Sequence, residues 1–250
     1  MVGGGVWAPS AEPSLLSWMR GDDPGAAINT TPTPHQYAAI PDRGSLGGSF
    51  VQATSANQPQ VSTLLVPSPV PLFGGGTRLQ HTAAASAWNV LHNPTGNALL
   101  AGVFVCVGAL TFRQIFSTYN GGTSSRGVRL YVTSAGALGA QFGNGAGDGS
   151  ANTSIESAAG VVTEGALVVA SLRKIGANVT LRAGLTQIAT GSIANPATGD
   201  AQYSAAVGAA NNGTLPHAGV IGECCVFSGA ELPTDDQIET YLTARWRLAP

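Results

Sequence analysis

The acidic side chains of this 250-residue chain are few, and their spacing bears on whether it could hydrolyse a glycoside. That reaction needs two carboxyl groups facing one sugar, one as the acid and one as the nucleophile or base. Glu223 is the single acid of an apolar segment, while Asp22 and Asp23 are adjacent in a turn-like sequence. The acids within 235–239 are typical of the start of a helix. These acids therefore do not form a pair with the spacing that a glycoside hydrolase needs.

The histidines and the lysine add no catalytic motif. His35, His81, His92 and His217 are scattered, without an acid or nucleophile at motif spacing, and there is no G-x-S-x-G sequence. Lys174 follows Ser-Leu-Arg rather than a glycine-rich phosphate loop. We therefore predict no enzymatic activity, no catalytic residue and no cofactor, with glycan hydrolysis as the last alternative.

Two kinds of binding site stay open. The segment "FGNGAGDGSANTS" offers oxygen ligands for calcium at Asn144, Asp148 and Asn152, although one carboxylate is few for that cation and a hairpin tip of turn formers explains the segment better. Glycan binding needs aromatic side chains beside polar ones. The contexts "WNVLHNPTGN" and "STYNGG" point to a last set of candidates: Trp88, Tyr119 and Tyr203.

Composition excludes several partners. Charged residues make up 10% of the chain, the net charge is -2, and there is no basic cluster, so we expect no nucleic acid partner. The longest apolar run, 98–110, is too short to span a bilayer, and the amino-terminal sequence has no signal-peptide pattern. We therefore expect synthesis in a cytoplasm and no membrane partner.

The three cysteines are predicted to be buried, unpaired thiols. Cys106 lies inside an apolar run, where cysteine behaves as a small hydrophobe. Cys224 and Cys225 are adjacent, and adjacent residues of a strand point to opposite faces, so they cannot easily share a metal or a partner.

Short strands separated by turn formers fill most of the chain. In "GVRLYVTSAGALGAQFG", Val128, Leu130 and Val132 alternate onto one face before a Ser-Ala-Gly turn, as in a β-hairpin. No long helices alternate with the strands, so the pattern favours an all-β antiparallel sandwich or jelly roll. The predicted strands are 14–19, 62–66, 99–109, 113–118, 127–133, 137–142, 166–173, 178–183, 187–193, 203–209 and 219–227.

One amphipathic helix is predicted at 234–247. Thr234 is a suitable N-cap, and Gln237 three residues later completes a capping box. About a dozen helical residues are marginal alone, so the helix must dock against a sheet. Its apolar stripe consists of Ile238, Tyr241, Leu242 and Trp246.

The carboxyl-terminal "GVIGECCVF" followed by "SGAELPTDDQIETYLTARWRL" resembles the end of concanavalin A-like, laminin G-type jelly-roll domains. The segments "PSLLSWMRGDD", "PDRGSLGGSFVQATSANQPQV", "LFGGGTRLQ" and "NALLAGVFVCV" resemble their earlier strands in the same order. The resemblance implies a single jelly-roll domain at 13–250 and a glycine-rich arm at 1–12. It also implies a choice among the roles of that family: glycan binding, glycan hydrolysis or a structural place in tailed-phage virions.

The charge-poor surface favours the structural role, because surfaces that assembly covers are depleted of charge. We therefore predict a non-enzymatic virion protein of a tailed bacteriophage, either a capsid decoration protein or a head or tail fibre adhesin. Its partners would be copies of itself and other virion proteins, with Val6 and Trp7 of the arm as the contact. The alternative is a glycan-binding, lectin-like module that attaches to a cell surface.

Overall fold

The computed structural model describes residues 7–31, 33–120, 126–145 and 152–248. These residues contain nineteen strands, one α-helix and three 3₁₀ helices, the last at Pro9–Ala11, Ser55–Asn57 and Ala85–Leu91. In chain order the strands and the α-helix are β1 (Leu15–Arg20), β2 (Ala27–Asn29), β3 (Gln36–Pro41), β4 (Ser49–Val51), β5 (Gln60–Ser62), β6 (Leu65–Val66), β7 (Val70–Phe73), β8 (Leu79–His81), β9 (Ala98–Cys106), β10 (Arg113–Ser117), β11 (Arg126–Val132), β12 (Leu138–Asn144), β13 (Thr153–Glu156), β14 (Leu167–Ile175), β15 (Asn178–Ala183), β16 (Thr186–Ser192), β17 (Ala206–Val207), β18 (Gly219–Ser228), α1 (Asp235–Arg245) and β19 (Arg247–Leu248).

Most of the strands form two antiparallel layers, and β6 pairs with β19 outside them. The front layer has the order β1-β18-β9-β14-β15-β16. The back layer has the order β13-β12-β11-β10-β17-β8-β4-β3-β2. The layers are linked where β5 joins β3 to β7 and β7 joins β18. The predicted jelly-roll sandwich with a carboxyl-terminal helix is confirmed.

The main core lies between the two layers. Side chains that alternate along β11 and β12 supply part of it, among them Val128, Leu130 and Phe142. From the front layer, Phe104 and Leu172 pack against the same cluster. Because every second residue faces this core, the residues between them point to the outside of the sandwich.

A second apolar cluster lies on the outer side of the front layer, beneath α1. Ile238, Leu242 and Trp246 are buried against β9 and β18, and Tyr241 is partly buried beside them. Thr234 and Gln237 form the predicted capping box. None of the described helices is long and apolar enough to cross a membrane.

The cysteines are buried free thiols, as predicted. Cys224 belongs to the core between the layers and Cys225 to the cluster under α1, so adjacent residues of β18 serve the two faces of one layer. Burial raises the pKa of Cys224 to about 12 and holds the pKa of Cys225 well above its usual range. Both thiols are protonated at neutral pH.

Trp7, predicted to contact a neighbouring copy, packs against its own chain. Its ring packs against Tyr241 at 5.9 Å and against Phe227 at 6.4 Å between centroids, and its indole N–H donates to Glu12 Oε1 at 2.5 Å. Trp7 therefore covers the end of the cluster under α1 in its own chain and is not free to strap a neighbour. Val6 lies outside the described residues.

Candidate functional site

The outer side of the back layer carries polar and aromatic side chains in two rows across its strands. In one row, Tyr131 of β11 stands opposite Gly139 of β12, which stands opposite Glu156 of β13. In the next row, Arg129 stands opposite Gln141, and Ser154 follows on β13. Phe112, just before β10, stacks on Tyr131. We call this surface the aromatic–arginine face and define it by Phe112, Arg129, Tyr131, Gln141 and Glu156.

The aromatic part of this face is a stack. The rings of Phe112 and Tyr131 are nearly parallel, with centroids 4.5 Å apart and an interplanar angle of 18°. Tyr131 lies over Gly139, where any Cβ would come within 2.6 Å of the phenol ring. A glycine at 139 is therefore what allows the Tyr131 ring to lie flat on β12. Tyr131 is buried by this contact, while Phe112 stays half-buried.

The polar part of the face is held in place by two phenols. The hydroxyl of Tyr131 donates to Glu156 Oε1, and the hydroxyl of Tyr119 donates to Gln141 Oε1 at 2.6 Å. Gln141 in turn donates through Nε2 to Ser154 Oγ at 2.9 Å. Burial raises the pKa of Tyr119 and of Tyr131, and the hydrogen bond to Glu156 adds to the rise for Tyr131. Both phenols therefore stay protonated and remain donors.

Arg129 is the cation of the face. Its guanidinium carbon lies 4.8 Å from the ring centroid of Phe112, 5.4 Å from that of Tyr131 and 5.6 Å from that of Tyr119. Such cation–π contacts hold the guanidinium in position. The Nε atom of Arg129 is buried and has no acceptor among the described residues. Because this Nε is enclosed, an external acceptor would meet the terminal nitrogens of the positioned guanidinium.

The aromatic residues that the sequence pointed to are placed differently from that prediction. Trp88 is fully buried between His81 and Phe116, with its N–H on Ser204 Oγ, so it cannot offer a ring to a sugar. Tyr119 is also fully buried, beneath Arg129, and supports the face through Gln141. Tyr203 is half-buried and does not contribute a ring to the aromatic–arginine face. The predictions of Trp88 and Tyr119 as sugar platforms are therefore wrong.

A concavity of about 320 Å³ lies elsewhere, between Trp7 and α1. Its lining includes Gln237, Thr240 and Tyr241. The indole N–H of Trp7 is already bound to Glu12 and its ring is packed against Tyr241. The aromatic groups of this groove are therefore engaged within the chain.

Glu223 is engaged within the chain, and the calcium candidates lie only partly within the described residues. Glu223 is fully buried, and its two oxygens accept from the indoles of Trp18 at 2.6 Å and Trp246 at 2.7 Å. Asn144 ends β12 and Asn152 precedes β13, while Asp148 lies outside the described residues, so calcium binding there stays a prediction. Among the residues that the structure describes, no three His, Cys, Asp or Glu side chains come together as metal ligands.

The alternation along β11 is the sequence signal for this face. The alternation of Val128, Leu130 and Val132 predicts that Arg129 and Tyr131 share the opposite face of the same strand. The sequence could not show that Phe112 stacks on Tyr131, or that Gln141 and Glu156 lie beside them, because these contacts depend on strand register.

Comparisons with known proteins support the fold. No family model matches the chain, and no curated protein matches it. The binding domain of botulinum neurotoxin serotype D/C VPI 5993 has a TM-score of 0.62 at 10% identity, with 95% of this chain and 53% of that chain covered. The W1252A mutant of HCR D/C VPI 5995 has a TM-score of 0.61 at 10% identity, with the same coverage. This chain therefore spans about half the length of those structures, and at such identity the likeness is one of fold.

A carbohydrate-binding module of Ruminococcus gnavus is a more distant structural neighbour. The IT-sialidase CBM40 of that organism, bound to α2,3-sialyllactose, has a TM-score of 0.49 at 20% identity, with 59% of this chain and 83% of that chain covered. This TM-score is too low to add to the fold assignment.

Proposed function

We propose that this protein is a glycan-binding module that uses the aromatic–arginine face. The observation that carries the proposal is the half-buried ring of Phe112, fixed on Tyr131 beside side chains that donate and accept hydrogen bonds. A sugar has an apolar ring face and a polar rim, and binding sites for such ligands combine aromatic surface with a few placed polar groups. Gln141, Ser154 and Glu156 supply those polar groups.

The rigidity of this surface also supports the proposal. Phe112 and Arg129 are held by ring stacking and cation–π contacts, and Gln141 by hydrogen bonds to Tyr119 and Ser154. A surface that is ordered before the ligand arrives loses little conformational entropy when it binds. A jelly-roll fold by itself does not carry a function, so the support comes from these residues.

Replacing Phe112 by alanine should weaken glycan binding about fivefold, because a ring contact is worth about 1 kcal/mol and about 1.4 kcal/mol is a factor of ten. The measurement is binding to an array of natural glycans, followed by titration calorimetry with the best ligand. The matched control is Ile175→Ala, which shortens an apolar side chain that is exposed and lies at the end of β14. A Phe112→Ala protein that melts at the wild-type temperature and binds with unchanged affinity would contradict the proposal.

Self-association is a second candidate function, favoured by the edge strand β16. Among the described strands β16 pairs only with β15, and its sequence, Thr186–Ser192, contains no charge and no proline. Natural proteins protect exposed edge strands with charged residues and proline. An edge strand without them is suited to pairing with another copy of the chain. The virion location predicted from composition has no counterpart among the neighbours named above and stays a prediction.

Sedimentation of the purified protein tests self-association. If β16 pairs between copies, the native mass should be a multiple of 25.1 kDa, and Gln187→Lys should shift it towards the monomer by placing like charges across the edge. Thr214→Lys is the matched control, because Thr214 is distant from that strand in the chain and outside the described strands. A monomer at all concentrations would contradict self-association and leave the glycan proposal unaffected.

A further inference from the structure

We propose that the aromatic–arginine face selects acidic sugars, with Arg129 binding the sugar carboxylate while Phe112 contacts the sugar ring. This inference rests on the proposed function and adds the ligand class. Its basis is the position of the only cation of the face: the guanidinium of Arg129 lies 4.8 Å from the centroid of Phe112, the ring assigned to the sugar. A ligand that covers Phe112 therefore meets Arg129.

The donors of Arg129 are unused by the described residues. Its Nε is buried without an acceptor, and none of the ion pairs found in the described part of the chain includes this side chain. The acid of the neighbouring row is Glu156, and its carboxylate accepts a hydrogen bond from the Tyr131 hydroxyl. The Nε is enclosed by protein, so the donors that a ligand would meet are the terminal guanidinium nitrogens of Arg129, which make no ion pair with a described residue.

The geometry favours a carboxylate over a larger anion. A guanidinium offers a planar fork of donors that matches the two oxygens of a carboxylate, and charge-assisted bonds of this kind are about twice as strong as neutral ones. The face supplies one positive charge, from Arg129, and the carboxylate of Glu156 stands in the neighbouring row. The face therefore cannot balance a ligand group that carries more than one negative charge. A monoanionic sugar acid fits this balance.

Glu156 then has a defined effect on the ligand. Its carboxylate carries the same sign as the sugar acid and is exposed on β13, while its acceptor oxygens can bind sugar hydroxyls. Removing the charge but keeping an acceptor, as in Glu156→Gln, should therefore tighten the binding of an acidic sugar. Removing the charge of Arg129 should do the opposite. Opposite effects from two neighbouring charges are not expected from a structural role.

The experiment uses the full chain and a panel of polysaccharides that contain uronic acid, among them polygalacturonate and alginate, each beside its carboxyl-reduced neutral form. Binding is measured by affinity electrophoresis and titration calorimetry. The wild-type protein should bind at least one acidic polymer at least tenfold more tightly than its reduced form. Arg129→Gln should lose that preference, Arg129→Lys should recover part of it, and Glu156→Gln should bind the acidic polymer about twofold to threefold more tightly.

The matched control is Arg247→Gln, which removes the same charge from an exposed position at the end of the chain. Since Arg129 packs on three rings, the melting temperature of each variant is measured, and Arg129→Lys keeps the test valid if the glutamine variant unfolds. Equal binding to the acidic and reduced polymers, abolished by Phe112→Ala, would overturn the acidic-sugar inference and leave glycan binding intact. No binding to any polymer of the panel, together with a blank glycan array, would overturn both.

Discussion

Replacing Trp246 by alanine is expected to lower the free energy of unfolding by about 3–5 kcal/mol, the range for removing a large buried aromatic side chain. Trp246 is 1% exposed and packs with Leu65 over Gly222. Its indole also donates to Glu223 Oε2 at 2.7 Å. The change therefore opens a cavity under α1 and leaves a buried carboxylate with one donor fewer.

The helix should respond more strongly than the sandwich. With 11 residues α1 is too short to be stable alone, and Trp246 is the residue that caps its end. Amide hydrogen exchange by mass spectrometry should thus show faster exchange in Asp235–Arg245 than in β9 or β14. Trp246→Phe separates the two causes, because it keeps most of the ring but not the N–H; we expect a smaller loss, about 1–3 kcal/mol. An unchanged melting temperature for Trp246→Ala would show that the helix is peripheral.

The sequence predicted the long strands and the helix because their signals are local. The predicted strand 178–183 coincides with β15, and the predicted capping box at Thr234 and Gln237 is present. The short strands between Ala27 and His81 were mostly missed, since strands of two to six residues carry too little alternation to stand out. Their formation depends on neighbours that are distant in the chain.

The residues of the candidate site could not be predicted from the sequence for a similar reason. A buried tryptophan and an exposed one look alike in sequence, so Trp88 was expected on the surface although it lies in the core. Glu223 looked solitary, but its partners Trp18 and Trp246 come from opposite ends of the chain. Residue type predicted which chemistry was possible, and strand register decided which residues meet.

Acidification from about pH 6.5 to about pH 4 is expected to destabilise the fold, and His217 is the main cause. Its ring is fully buried between Phe73 and Phe104, and Nε2 lies 3.1 Å from Val105 O, where it must donate to a carbonyl. Burial lowers the pKa of His217 to about 4, so the folded protein keeps this imidazole neutral.

The sign follows from proton binding in the two states. Between about pH 6.5, the usual pKa of histidine, and about pH 4, the unfolded chain binds a proton at His217 and the folded chain does not, so the free energy of unfolding falls as the pH falls. The full loss is about 3 kcal/mol, and it is complete below pH 4.

Urea unfolding at steps of about half a pH unit from about pH 7 to about pH 4 measures this loss, with His217→Phe as the comparison because it keeps an aromatic ring that cannot be protonated. The variant should lose most of the slope within this window. A smaller slope should remain, since burial also lowers the pKa of His92. The buried pair of Asp42 and His81 does not interfere with the comparison, because it is present in both proteins. Parallel stability curves for the two proteins would show that His217 is not the group that titrates.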